Sequence, residues 1–259
     1  MNPAKGEPYD ITSVYGTRAE AFDAFWPDRR DEIAFWAGLA KPYGKRLINP
    51  MCATGAIAEG LAATGFEVTG VDSSHEMLVI ARRRAQSEDN PRYVEADLFD
   101  YCPDEPADVV ILHSGCIHHF RGKQGRTEVF RKIWSWLRPG GMFGLELLEH
   151  SMPERLTHEF TSTQPASKVD GISSIMKRTK VELEPDGLLR HFTEIVRYKR
   201  GEEPVMVTHS FTLEVPPTPQ LRLEVRESGF NIAQDLVDGF DVDLPGRGEV
   251  VLVCEKEQN

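Results

Sequence analysis

From residue 46 to residue 147 the sequence alternates short apolar runs with amphipathic stretches, joined by connections of only a few residues. Leu47-Ile48, Phe66–Val71, Tyr93–Asp97, Asp108–Leu112 and Met142–Leu147 read as strands. Ile57–Ala63, His75–Gln86 and Thr127–Leu137 carry helical spacing. The run Val109-Val110-Ile111-Leu112 is apolar on both alternations, as in a strand covered on both faces. Strands that follow one another through helices need right-handed crossovers, so this segment is expected to be α/β, a parallel sheet flanked by helices on both sides. Ser74 stands where it can cap the helix that starts at His75, and Gly65 stops the helix before it.

The flanks read differently. Residues 17–40 are helical with a break at Pro27. After residue 150, Ile175–Leu183, Leu188–Arg200 and Pro204–Val215 lean to β and are separated by the turns Pro185-Asp186-Gly187 and Arg200-Gly201-Glu202. Three such strands predict an antiparallel layer. Pro219–Ser228 reads as a helix stopped by Gly229, and Glu249–Cys254 as the last strand. The expected organisation is an N-terminal helical cap (1–45), a ligand-binding core (46–150), an antiparallel β insertion or lid (151–218), and a C-terminal helix and strand (219–259) that complete the core.

Charge and cysteine usage narrow the function. A formal net charge of −11 disfavours nucleic acid, whose readers need a basic stripe, and disfavours anionic membrane surfaces. The four cysteines include no Cys-x-x-Cys pair, which fits a reducing compartment without a zinc motif. No apolar run approaches the ~18 to 20 residues that span a bilayer, and no signal-like segment opens the chain, so a cytoplasmic location is expected.

In an open parallel sheet, ligands sit beyond the carboxyl ends of the strands. Three such ends here carry unusual residues. Asn49-Pro50-Met51-Cys52-Ala53-Thr54-Gly55 joins the first strand to a helix start, where free N–H groups can approach a ligand. Asp72 closes the second strand, where a carboxylate can accept both hydroxyls of a ribose, and Asp97 closes the third, suited to a purine amino group.

At these residues the chain resembles the class I S-adenosylmethionine-dependent methyltransferases. The motifs are Cys52-Ala53-Thr54-Gly55, the run Val68 to Leu78 with its acid and its Met77-Leu78 pair, Glu95-Ala96-Asp97, and the turn Leu137-Arg138-Pro139-Gly140-Gly141. Ser228-Gly229-Phe230 and a closing strand extend the likeness. Within the class the chain is most similar to small-molecule N-methyltransferases of the dTDP-amino-sugar N,N-dimethyltransferase and glycine N-methyltransferase kind. They share the opening Ala19-Glu20-Ala21-Phe22-Asp23-Ala24-Phe25, the antiparallel insertion and Gly246-Arg247-Gly248. The resemblance implies a Rossmann-like fold, S-adenosyl-L-methionine as cofactor, and methyl transfer to N or O of a small molecule, with oligomeric state open and a homodimer one option. It places Asn49, Met51, Ala53, Gly55, Asp72, Ser73, Met77, Ala96, Asp97, Leu98 and His113 around the cofactor.

The chain departs from the family at several of these positions. Asn49 replaces an acid, Met51 and Ala53 replace glycines so that a slightly reshaped turn is expected, and Phe22 replaces a tyrosine for which Tyr15 can substitute. His113, His118 and His119 follow the fourth strand, beside the expected methyl position. His119 is the candidate base or acceptor positioner, with His118 and Tyr15 beside it and Glu146 and Glu149 in reserve. The alternative is that these histidines are hydrogen-bonded struts at a pocket rim. With His150 they lack a His-x-x-x-His pair and an evident carboxylate partner, so no metal is expected. Two rival readings keep the fold: intramolecular cyclisation of the cofactor, and a binding protein without turnover.

Overall fold

A computed structural model describes residues 19–22, 29–87, 89–148, 158–165, 172–186, 188–199, 201, 203, 205–237 and 249–257. Helices α1 (Ala19–Phe22) and α2 (Arg30–Ala40) precede β1 (Arg46–Pro50), α3 (Ala56–Ala63), β2 (Glu67–Asp72), α4 (His75–Arg84), β3 (Arg92–Glu95) and β4 (Ala107–Leu112). A 3-10 turn (Cys116–His119) leads into α5 (Gly122–Trp136) and β5 (Leu137–Leu148). Strands β6 (His158–Pro165), β7 (Ile172–Leu183), β8 (Leu188–Lys199) and β9 (Val205–Glu214) follow, then α6 (Thr218–Glu227), β10 (Phe230–Val237) and β11 (Glu249–Lys256).

The main sheet has seven strands in the order β10-β11-β5-β4-β1-β2-β3. Its pairs from β5 to β3 are parallel, while β11 runs antiparallel to β5 and β10. This is the Rossmann-like methyltransferase architecture. The strand order reverses at β1 and β4, and the crevice at their carboxyl ends is where this topology places ligands.

Alternation along β4 builds two cores. Val109 and Ile111 face Trp36 and Ala40 of α2 and Ile57 and Leu61 of α3. Val110 and Leu112 face Val129, Phe130 and Ile133 of α5 and Leu221 and Val225 of α6. All four β4 side chains are fully buried, each contributing roughly 1.5–3 kcal/mol of transfer free energy. Among the described residues no helix is long and apolar enough to cross a membrane.

Several expectations need correction. β5 begins at Leu137, not Met142: Leu137 pairs with Ala107 and Met142 with Val109, so the Pro-Gly-Gly segment is a bulge inside the strand rather than a turn before it. β3 stops at Glu95, which leaves Asp97 beyond the strand. The antiparallel layer has four strands, not three. The extra one, His-Glu-Phe-Thr-Ser-Thr-Gln-Pro, has too few apolar residues to signal a strand. β10 was unforeseen because its apolar residues break alternation at a register shift between Ile232 and Gln234. Ser74 caps α4 as anticipated, its hydroxyl accepting the Met77 N–H at 3.3 Å.

A buried ion cluster joins the two sheets. Arg126 of α5, with 0% exposure, donates to both oxygens of Glu224 on α6 (2.8 and 2.9 Å) and to Glu214 at the end of β9 (2.9 Å). The other Glu214 oxygen accepts the Gly122 N–H that opens α5, at 2.6 Å. The antiparallel layer is thereby anchored where the chain leaves β9.

Candidate active site

Three strand tips converge on Asp72. Its Oδ2 accepts the Ala53 N–H (2.8 Å) from the β1–α3 turn, and its Oδ1 accepts the Ser74 N–H (2.9 Å) at the start of α4. Its carbonyl accepts the Ala96 N–H (3.0 Å) just past β3. Burial raises the Asp72 carboxyl above the usual carboxylate range, and the N–H groups of Ser74, Ala53 and Ser73 work in the opposite direction.

The turn itself is held from several sides. Cys52 N–H reaches the Val71 carbonyl at 3.1 Å, Arg84 Nε donates to the Thr54 carbonyl at 3.1 Å, and Tyr93 Oη donates to the Gly55 carbonyl at 3.3 Å. Met51, Ala53 and Gly55 have φ of 54°, 49° and 74°. Two residues with side chains therefore occupy the left-handed region that glycine adopts freely, at a cost of about 1–2 kcal/mol each. Gly55 has no such latitude for change, since a Cβ there would lie 2.2 Å from Tyr93 Oη.

Asn49 is fully buried at the end of β1. Its Nδ2 donates to the Ile111 carbonyl of β4 at 3.0 Å, while its Oδ1 is buried without a hydrogen-bond partner. Such an orphan acceptor is costly unless a ligand completes it. Ser73 is exposed, Met77 and Leu98 are buried, and Asp97 is exposed with its Oδ1 accepting the Phe99 N–H at 2.8 Å.

The histidines separate into three roles. His118 is fully buried, and both ring nitrogens are used within the fold: Nδ1 donates to the Glu214 carbonyl (2.8 Å) and Nε2 accepts the Leu148 N–H (2.9 Å). Burial pushes its pKa down to about 4, with Arg126 adding to the effect. It is a neutral strut that ties the 3-10 turn to the ends of β5 and β9. His119 is half-buried, with its ring centroid 5.7 Å from Phe211, which stacks on His191 at 4.6 Å. His113 is buried at the tip of β4, with Nδ1 2.8 Å from Ser114 Oγ.

Carboxylates that sequence spacing did not connect to His113 stand beside it. Glu146 of β5 and Glu32 of α2 lie close enough that one ligand atom of each and of His113 fall within 4.8 Å of one another. This corrects the expectation that the loop histidines have no carboxylate partner. Glu32 and Arg29 sit on a helix remote in sequence, and neither belongs to a motif. Tyr15, Glu149, His150 and Gly246-Arg247-Gly248 lie outside the described residues. A depression of about 610 Å³ beside Tyr43, Gly140 and Glu255 opens at the other end of the sheet, by the start of β5, and takes no part in this site.

Comparison with known proteins agrees with this geometry. Residues 49–141 match the family model described as a methyltransferase domain. The putative methyltransferase YqeM of Bacillus subtilis (strain 168) is 29% identical over 113 residues, 43% of this chain and 46% of that protein. The chain spans about half the length of the first curated relatives it matches. Among solved structures, an S-adenosylmethionine-dependent methyltransferase from Clostridium acetobutylicum ATCC 824 superposes with a TM-score of 0.76 at 14% identity, over 95% of this chain and 100% of that one. CalS10, an amino pentose methyltransferase from Micromonospora echinaspora with S-adenosylmethionine bound, gives 0.69 at 19% identity, over 93% and 96%.

The fold is the one seen in solved S-adenosylmethionine-dependent methyltransferases. Residues 49–141 match a methyltransferase domain, and CalS10, which shares the fold, holds S-adenosylmethionine.

Proposed function

We propose that this chain transfers a methyl group from S-adenosylmethionine to a nitrogen or oxygen of a small molecule. The observation that carries the reading is Asp72, a half-buried carboxylate onto which the tips of β1, β2 and β3 all converge. Its remaining lone pairs are suited to the two hydroxyls of a ribose. The turn from Met51 to Gly55 and the start of α3 line the methionine end, where the orphan Oδ1 of Asn49 offers an acceptor to an ammonium group. Met77 and Leu98 flank the adenine, Asp97 accepts its amino group, and Ser73 and Ala96 complete the rim.

When bound, the cofactor supplies an electrophilic methyl group on a sulfonium. The protein's own contribution is alignment of the acceptor and exclusion of water. His119 is the group assigned to the acceptor, as base or positioner: it is half-buried, and Phe211 of the antiparallel layer fixes its ring. His118, with both nitrogens engaged, is reassigned from the catalytic pair to holding His119 in place. Tyr15, from the N-terminal cap, is retained as a candidate beside the sulfonium.

The test is mass analysis of products after incubating enzyme and cofactor with a panel of small amines and hydroxy acids. S-adenosylhomocysteine and an acceptor heavier by one CH₂ (a methyl gained and a proton lost), formed together, are the expected result. Methylthioadenosine formed without any acceptor contradicts methyl transfer and supports cyclisation.

A further inference from the structure

At the tips of β4 and β5, on the acceptor side of the crevice, three metal-ligating side chains meet. Glu32 reaches in from α2, His113 from the end of β4 and Glu146 from β5. They are well removed from water: His113 and Glu146 are buried, and the Glu32 side chain is 17% exposed.

Each of the three is oriented by a second contact. Ser114 Oγ stands 2.8 Å from His113 Nδ1, the ring nitrogen that lies 3.9 Å from Glu32 Oε1. The Ser114 N–H donates to Glu146 Oε2 at 2.6 Å. Arg29 donates to Oε1 and Oε2 of Glu32, both at 2.6 Å, and also to Ser114 Oγ at 3.0 Å. Ser114 manages this from a left-handed φ of 57°, a conformation costly for serine. Hydrogen bonds to the side chains of metal ligands commonly fix their orientation in this manner.

We propose that Glu32, His113 and Glu146 form a binding site for one divalent transition-metal cation. Carboxylate oxygens suit Mn²⁺ and Mg²⁺ while imidazole suits Fe²⁺ and Zn²⁺, so the mixed donor set points to a borderline ion of the Mn²⁺ or Fe²⁺ kind. Ligands at ~2.1 Å from an ion stand roughly 3 Å apart. The ligand atoms lie within 4.8 Å of one another, so an ion would draw them together by rotation of the side chains. The Arg29 pairing does not block this, because a carboxylate has about four lone-pair sites and the guanidinium uses two. With three protein ligands the ion keeps open positions for an acceptor oxygen, whose hydroxyl pKa it would lower. That role rests on the methyl-transfer reading; the ion site does not.

The full-length protein, stripped with chelator and exchanged into metal-free buffer, is titrated with Mn²⁺ and followed by loss of the free-ion paramagnetic resonance signal. One Mn²⁺ per chain is expected, with affinity falling at least about tenfold in Glu32→Gln and in Glu146→Gln. Urea unfolding checks that both variants are folded, and Glu32→Gln, at the more accessible position, keeps the test open if Glu146→Gln is not. Absence of stoichiometric binding, or binding undiminished in the folded variants as diffuse attraction to an acidic surface would give, overturns the proposal. S-adenosylhomocysteine binding is measured in parallel. Mn²⁺ bound without the nucleoside leaves the ion site standing and sinks the methyl-transfer reading; the reverse sinks the ion site alone.

Discussion

His118 makes the stability of this protein depend on pH in a calculable way. Folded, the imidazole is neutral, fully buried and held at about pKa 4, against 6.5 for the exposed side chain. Between those values the unfolded chain takes up a proton that the folded chain refuses, so stability is complete above pH 6.5 and is lost as pH falls toward 4. At ~1.36 kcal/mol per pKa unit the full effect is about 3 kcal/mol, and about 2 kcal/mol of it is already gone at a pH of about 5. Urea unfolding at pH 7.5 and pH 5 (about these values, chosen to bracket the imidazole) measures the loss. Other groups titrate in the same window, so the comparison is with His118→Gln, which keeps a donor and an acceptor at the position and cannot take the proton. The variant is less stable at neutral pH but has a shallower slope, the difference between the two proteins shrinking by about 2 kcal/mol at the lower pH. Parallel slopes for wild type and variant would refute the reasoning.

Three further outcomes follow from single contacts. Arg126→Met leaves Glu224 buried, and Glu214 half-buried, without their shared counter-charge, and should cost about 3–5 kcal/mol in urea unfolding. Asn49→Asp replaces the Nδ2 donor, now 3.0 Å from the Ile111 carbonyl, by an oxygen that repels it. Stability should fall by about 1–3 kcal/mol at neutral pH, and by less in acid, where a protonated carboxyl can donate again. Ala53→Gly relaxes a left-handed residue at φ 49° and should raise stability by about 1 kcal/mol, read as a higher melting temperature.

The sheet was legible because its signals are local. Val109 to Leu112 declares a strand buried on both faces within its own sequence, and Ser74 declares the start of α4 by hydroxyl chemistry alone. Strand ends in an open parallel sheet are ligand sites by topology, so Asn49, Asp72 and Asp97 could be nominated without coordinates. β6 escaped because a strand that is mostly polar has no period to read. His118 and His119 are neighbours of one residue type, and no spacing rule shows that His118 is a strut; the Glu214 carbonyl and the Leu148 N–H do. Glu32 escaped for the same reason. On α2 it is an ordinary acidic residue of a helix first turn, and its meeting with His113 and Glu146 is created by tertiary packing.

Calorimetric titration with S-adenosylhomocysteine bears most directly on whether the tips of β1, β2 and β3 hold an adenosyl group. One site per chain is predicted, weakened at least about tenfold (about 1.4 kcal/mol) in Asp72→Ala, which removes the proposed ribose acceptor and the contact that closes the turn. No heat of binding at about millimolar nucleoside, a free energy weaker than roughly −4 kcal/mol, or an Asp72→Ala variant that binds as tightly as wild type, contradicts the account.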